Sequence, residues 1–235
     1  MTSLVRINKY LADQKICSRR EADKLIAEKR IVVNGKVAVL GQMVGETDRV
    51  EVRGPKKQYI YLAYYKGRGV ITHSPAKGEI DIATKIQKDY GLKEIHPIGR
   101  LDKDSEGLMI ITNDGRLTGP LLDPEAKHEK EYEVVVDKPA TGMFAKIMAG
   151  GVDIEGYRTK PAQIKLHPKD DKRFHLILTE GKKHQIRRMC AALGYQVQSL
   201  KRVRIMNIKL GALKPNQYRK ITGPDLKTWL RDLGL

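Results

Sequence analysis

Three acids share one glycine-bounded segment, Gly99-Arg100-Leu101-Asp102-Lys103-Asp104-Ser105-Glu106-Gly107-Leu108, and a carboxylate beside a fixed cation is a candidate nucleophile or general base. Glycine permits the tight or positive-φ backbone that brings a chain close to a ligand. The apolar run Leu108-Met109-Ile110-Ile111 reads as a buried strand, so the acids lie on a loop leading into the core, where loops carry function. Tyr132 stands near the start of the strand-like run Lys130-Glu131-Tyr132-Glu133-Val134-Val135-Val136 and offers a ring able to stack on a base. Taken alone it is ordinary strand packing. Ile186, Met189, Cys190 and Leu193 mark one face of a helix opened by Gly181-Lys182-Lys183-His184-Gln185. At about 100° per residue Arg187 flanks that stripe and Arg188 points away from it. Arg187 is therefore the candidate for a partly buried, oriented cation, and Arg188 for an exposed phosphate contact. A carboxylate, an arginine to keep it ionised and an aromatic platform suit an extruded nucleotide.

The rest of the chain must position this set and supply its partner. With 235 residues, 40% of them apolar, it is long enough for one mid-sized domain and a small one. Forty-five Lys and Arg against 28 Asp and Glu give a formal charge of +17, which points to a polyanion, whether RNA, DNA or an anionic membrane. Residues 181–220 hold eleven Lys or Arg and no acid, so a nucleic acid is expected to pass over them. No apolar stretch approaches the roughly 18 residues of a membrane span. Met1-Thr2-Ser3-Leu4-Val5-Arg6 lacks the apolar run of a signal peptide. A cytoplasmic protein is expected, with no membrane association. Cys17 and Cys190 form neither a disulfide framework nor a zinc pattern, and the six histidines show no H-x-x-x-H pairing, so no metal is expected.

Residues 1–53 read as a small module. Ile7, Tyr10 and Leu11, then Ala22, Leu25 and Ile26, repeat at helical spacing. Ser18 followed by Glu21 is a capping box for the second helix. Asn34-Gly35 between β-branched residues predicts a hairpin, and Arg49-Val50-Glu51-Val52 another strand. Arg19 and Arg20 occupy a first helical turn, which the macrodipole disfavours by a few tenths to about 1 kcal/mol each. A phosphate backbone shared with Arg6, Lys9, Lys24 and Lys36 accounts for them; for any one of these lysines alone, a solvated face is the simpler reading. Residues 54–58, Gly-Pro-Lys-Lys-Gln, read as a linker. The main domain, 59–235, is expected to carry strands at 59–65, 70–72, 108–112, 131–137, 173–180 and 199–209. Helices are expected from Asp81 to Tyr90 and near 116–122, 141–149, 183–193 and 224–232. Interleaving without a βαβ rhythm predicts an α+β fold with a mixed or antiparallel sheet.

Two resemblances follow from these motifs. Arg6-Ile7-Asn8-Lys9-Tyr10-Leu11, Cys17-Ser18-Arg19-Arg20-Glu21-Ala22 and Val33-Asn34-Gly35-Lys36 resemble the S-four-type RNA-binding module, an αα-hairpin followed by strands. The Gly99–Leu108 segment, Lys130-Glu131-Tyr132 and Gln185-Ile186-Arg187-Arg188-Met189 resemble the motifs of bacterial rRNA pseudouridine synthases of the RsuA type. Arg202-Val203-Arg204-Ile205-Met206-Asn207-Ile208 is most similar to the RluF-like branch acting on large-subunit rRNA. The resemblance implies Asp102 as the essential aspartate, Tyr132 lining the uracil pocket, Arg187 paired with the aspartate and Arg100 helping to hold the flipped nucleotide. It implies no cofactor, and ribosomal RNA as partner with tRNA left open as a second substrate; a monomer is expected because nothing in the sequence suggests an obligate interface. Where that family has Lys-Pro-x-Gly this chain has Lys66-Gly67-Arg68-Gly69, which leaves the role of Lys66 open.

The competing readings are a non-catalytic RNA-binding or ribosome-assembly factor, and a metal nuclease built on Asp102, Asp104 and Glu106. The latter lacks matching histidines or distant acids. Asp104 and Glu106 read as loop structure or solvated charge.

Overall fold

The computed structural model describes residues 4–235; Met1, Thr2 and Ser3 of the segment read for a signal peptide lie outside them. Two helices, Ile7–Asp13 and Arg19–Ala27, open the chain. Ser18 accepts a hydrogen bond from the Glu21 amide at 3.3 Å. The reciprocal half of the expected capping box is not made, because Glu21 instead pairs with Lys57 at 2.9 Å. Ile31–Val33 is then flanked by Lys36–Val37 and Val50–Val52, and the hairpin turns on Asn34 and Gly35, both at positive φ, as a type I′ turn requires. Ile7, Leu11, Ala22, Ile26, Ile31 and Val44 close a core of their own.

The larger sheet runs Gln163–His167, Asp170–Leu178, Lys130–Val136, Val197–Ile205, Glu106–Thr112, Tyr61–Lys66, Tyr218–Lys220. It is mixed, as expected: among the strand pairings described within this sheet one, Lys201–Arg202 against Glu106–Gly107, is parallel and interrupts antiparallel pairing. Tyr61–Lys66 is buried at every position and Glu106–Thr112 at all but its first. Both faces of these central strands are covered, so they read as unbroken apolar runs. Leu62, Tyr64, Met109 and Ile111 face the helices Ile82–Tyr90, Gly142–Ala149 and Gln185–Ala192. Tyr61, Ala63, Leu108 and Ile110 face Thr118–Leu122 and Gly223–Asp232, around Trp229. Lys130–Val136 instead alternates burial from Tyr132 onward, and its open face carries a charge ladder. Glu133 takes Lys201 and Arg173, while Glu131 takes Arg204 and His175.

The fold departs from expectation at several places. Residues 70–72 form no strand; Ile71 makes a lone bridge to Asp81, and the Thr72 side chain is engaged by the Leu101 backbone. His96–Ile98, Gln163–His167 and Tyr218–Lys220 were not anticipated. They are short, and the latter two lie at sheet edges where apolar alternation is weak. The acid-free 181–220 stretch is also not a bare cationic surface. Arg202 is buried, and Lys201, Arg204 and Arg188 are paired with acids from elsewhere.

The small module rests against the main domain. Arg116 reaches the Lys15 carbonyl at 3.3 Å, lies over the Tyr59 ring and pairs at 2.7 Å with buried Asp114, which also accepts from the Tyr61 hydroxyl. Gly115 passes so close to Ser18 that a Cβ there would stand 2.7 Å from its hydroxyl.

Candidate active site

Asp102 projects from the loop between His96–Ile98 and Glu106–Thr112, with its side chain 37% exposed. The backbone beneath it is held carbonyl by carbonyl. Thr72 Oγ1 donates to the Leu101 carbonyl at 2.8 Å and accepts from the Leu101 amide at 3.2 Å. The Asp102 carbonyl accepts from the Ser105 amide at 3.1 Å, closing a turn, and the Lys103 carbonyl from the Gly69 amide at 2.8 Å. Arg187 Nη2 donates to the Asp104 carbonyl at 3.3 Å, and Lys66 Nζ to the Ser105 carbonyl at 2.6 Å.

Lys66 is fully buried. Its ammonium also reaches the carbonyls of Gly67 and Lys103, at 3.2 and 3.3 Å. Burial pulls it down to about 8, against the opposing pull of Asp102, Asp104 and Glu106. This cation thus balances the acidic loop from below. The missing proline has a local compensation: Gly67 keeps an amide hydrogen that points at Asn216 Oδ1, 3.4 Å away, which proline could not offer. At the far end of the loop, Gly107 sits at φ +110°, and a Cβ would lie 2.3 Å from the Arg202 carbonyl oxygen. Only glycine permits the parallel contact there. Arg202, buried beside it, donates to the Leu108 carbonyl at 2.8 Å.

Register carries the site outward from this contact. Gly107 pairs with Arg202, Arg202 with Tyr132, and Tyr132 with Leu176. Tyr132 therefore stands two strands from the end of the acidic loop, roughly 10 Å at the usual strand spacing. It is 9% exposed, at the margin of the core. Arg187 arrives on the helix Gln185–Ala192, whose entry is pinned by buried Glu180. That carboxylate accepts from Gln185 Nε2 and the Tyr157 hydroxyl, both at 2.6 Å.

Two expectations about the arginines need correction. Arg187 does not pair with the Asp102 carboxylate; its donors go to the Val197 and Asp104 carbonyls and the Ser105 hydroxyl. The group at ion-pair distance from Asp102 is His184, with Nε2 3.4 Å from Oδ1. Arg188 is not the free, exposed cation expected: it pairs with Glu155 at 2.7 Å and donates to the Ile154 carbonyl, clamping the hairpin Asp153–Arg158. Its helical position does point away from the apolar stripe, but that side is where the hairpin packs.

Arg100 is exposed, and its backbone carbonyl lies 3.5 Å from Arg202 Nη1. Glu106 accepts from the Tyr65 hydroxyl at 3.0 Å, and Lys103 pairs with Glu79. Arg6, Lys9, Arg19, Arg20, Lys24 and Lys36 are all exposed, and none makes a salt bridge or side-chain hydrogen bond among the described residues. Both cysteines are buried free thiols, Cys17 pushed up to about 11 and Cys190 to about 12 by burial. Sequence reasoning missed Thr72, Glu180, Arg202 and the contact of His184. None shows a signal in isolation, since each matters through a partner distant in the chain.

Comparison with known proteins identifies the family. Residues 60–192 match the RNA pseudouridylate synthase family, and residues 5–50 match the S4 domain. The chain is 40% identical over 230 residues to the dual-specificity RNA pseudouridine synthase RluF of Escherichia coli K12, covering 95% of this chain and 78% of that protein. It is 34% identical to ribosomal large subunit pseudouridine synthase B of Bacillus subtilis, covering 94% of each. A pseudouridylate synthase of known crystal structure superposes with a TM-score of 0.68 at 28% identity, over 97% of this chain and 99% of that one. Two family matches that together cover most of the chain, and relatives 34–40% identical over nearly its whole length, show the family: the chain belongs to the RNA pseudouridylate synthases of the RsuA type, on the branch that includes RluF.

Proposed function

We propose that Asp102 is the essential aspartate of this isomerase, with large-subunit ribosomal RNA as substrate and tRNA as a candidate second one. The reading is supported by the loop itself: five consecutive carbonyls, from Leu101 to Ser105, have partners, while the Asp102 carboxylate is left part-exposed. Such a frame holds one reactive group in place without covering it.

In the reaction the glycosidic bond from the sugar carbon to the base nitrogen breaks, the uracil turns, and its carbon 5 bonds to the same sugar carbon. Carbon 5 then loses a proton and the nitrogen gains one, so nothing is oxidised or hydrolysed. Asp102 serves as the anion that attacks the sugar or the base, or that removes a sugar proton. Tyr132 stacks on the extruded base, and Arg100 holds the flipped nucleotide. Arg187 acts through the loop: by fixing Asp104 and Ser105 it sets where the carboxylate stands. Arg6, Lys9, Arg19, Arg20, Lys24 and Lys36 hold the RNA backbone electrostatically. The division into a module at 1–53, a linker at 54–58 and a catalytic domain at 59–235, working as a cytoplasmic monomer, belongs to the same reading.

Asp102→Asn tests it. The variant is expected to form no pseudouridine, read as carbodiimide-dependent reverse-transcription stops on ribosomal RNA, while still binding that RNA. Unchanged modification by the variant would overturn the assignment.

A further inference from the structure

The loop that carries Asp102 is fastened everywhere except at the atom group that matters. Lys66 and Arg187, two cations that hold the loop, direct their donors to carbonyls and to the Ser105 hydroxyl. Neither reaches the Asp102 side chain. Among the described residues the one side chain at ion-pair distance from it is His184, with Nε2 3.4 Å from Oδ1 and the imidazole about half exposed.

The backbone of His184 is arranged for this contact. It stands at φ +52°, ψ +25°, immediately before the helix Gln185–Ala192. A non-glycine residue in that left-handed region is uncommon. The conformation is enforced from one side by Gln185, whose Oε1 accepts from the Lys182 amide at 2.9 Å and whose Nε2 donates to Glu180 at 2.6 Å. Turning there carries the imidazole off the helix and across to the acidic loop.

We propose that His184 is a positioning residue for Asp102, its imidazole fixing the rotamer of the carboxylate that faces the target uridine. This rests on Asp102 being the reactive aspartate. The groups around the contact are Asp102 itself, Asp104 beside it on the loop, and Lys183 and Arg187 on either side in the chain. At 3.4 Å Nε2 and Oδ1 are in contact without forming an aligned hydrogen bond. In substrate-free enzymes such contacts are commonly long and tighten in the complex, and a misplacement of about 1 Å can cost about a hundredfold in rate.

Two variants separate this role from folding and from RNA binding. His184→Asn keeps a residue that tolerates the left-handed backbone but is too short to reach Oδ1. His184→Arg restores a donor long enough to reach it. Each is assayed under single-turnover conditions on large-subunit ribosomal RNA from cells lacking this protein, with dissociation constants by filter binding and melting temperatures in parallel. The expected result is a tenfold to hundredfold slower step for His184→Asn at unchanged affinity and melting temperature, with His184→Arg within threefold of wild type. A wild-type rate in His184→Asn, a loss confined to affinity, or an arginine variant as slow as the asparagine one would overturn the proposal. Asp102→Asn runs in the same assay: its retained activity would strike at the aspartate assignment, whereas an inactive Asp102→Asn beside a fully active His184→Asn removes only the role of His184.

Discussion

Replacing Lys66 by methionine sets two terms of opposite sign against each other. Burial moves the ammonium from 10.5 down to about 8, so holding it charged in place opposes folding by about 3 kcal/mol at neutral pH. Methionine of similar length removes that penalty. It also removes three donors from the carbonyls of Gly67, Lys103 and Ser105. At about 1.5–3 kcal/mol for each hydrogen bond from a charged group, the loss is roughly 5–9 kcal/mol. The net expectation is a destabilisation of about 2–6 kcal/mol, or roughly 4–24 °C in melting temperature for a chain of this size. The pH dependence supplies an independent check. The folded-state value lies below that of the unfolded chain, so the penalty acts in full below pH 8 and is relieved as the pH climbs towards 10.5. Wild type gains on the variant across that window. Calorimetry at pH 7 and pH 9.5 should show Lys66→Met less stable at both and further behind at the higher pH. A variant as stable as wild type at pH 7, or a gap that narrows with pH, would refute the account of Lys66 as a buried clamp.

Other consequences can be measured separately. Gly107→Ala, which drives a Cβ to 2.3 Å from the Arg202 carbonyl oxygen, should cost at least about 3 kcal/mol by chemical denaturation; a loss below 1 kcal/mol would show that the parallel contact can yield. Charge reversal at Arg19, Arg20 and Lys24 should flatten the salt dependence of RNA affinity by about one for each phosphate no longer neutralised, without changing the melting temperature. An unaltered slope would move the RNA elsewhere. Arg188→Ala should lower stability, because Glu155 and the Ile154 carbonyl lose their partner, while leaving the salt slope of binding as it was; a shallower slope would restore Arg188 as a phosphate contact.

How much of this was legible in advance depended on the range of the interaction. Asp81 capping its helix through the Thr84 amide, Asn34-Gly35 turning its hairpin, and Ser18 at a helix start are contacts within four residues, and periodicity or turn chemistry announces them. Apolar runs likewise identified the two central strands. Arg187 and Arg188 show the limit. The helical wheel placed each on the correct face, yet what stood opposite was an acidic loop 82 residues away in one case and an unanticipated hairpin in the other. Lys66 was the hardest to read, since nothing local distinguishes a lysine ending an apolar strand from a solvated one. Its role is visible only once the carbonyls of residues 103 and 105 lie over it.

The position of Val197–Ile205 in the sheet also orders events in time. This strand lies between Glu106–Thr112 and Lys130–Val136, which precede it by some sixty or more residues, and it joins the loop end at Gly107 to Tyr132. On a ribosome the earlier strands emerge first but have no neighbour across the gap. Pairings of such sequence separation form slowly and late. The Asp102 loop and the tyrosine therefore meet only when the chain is nearly complete, whereas the amino-terminal module closes its core from local contacts long before. A nascent chain should grip RNA well before it can modify it.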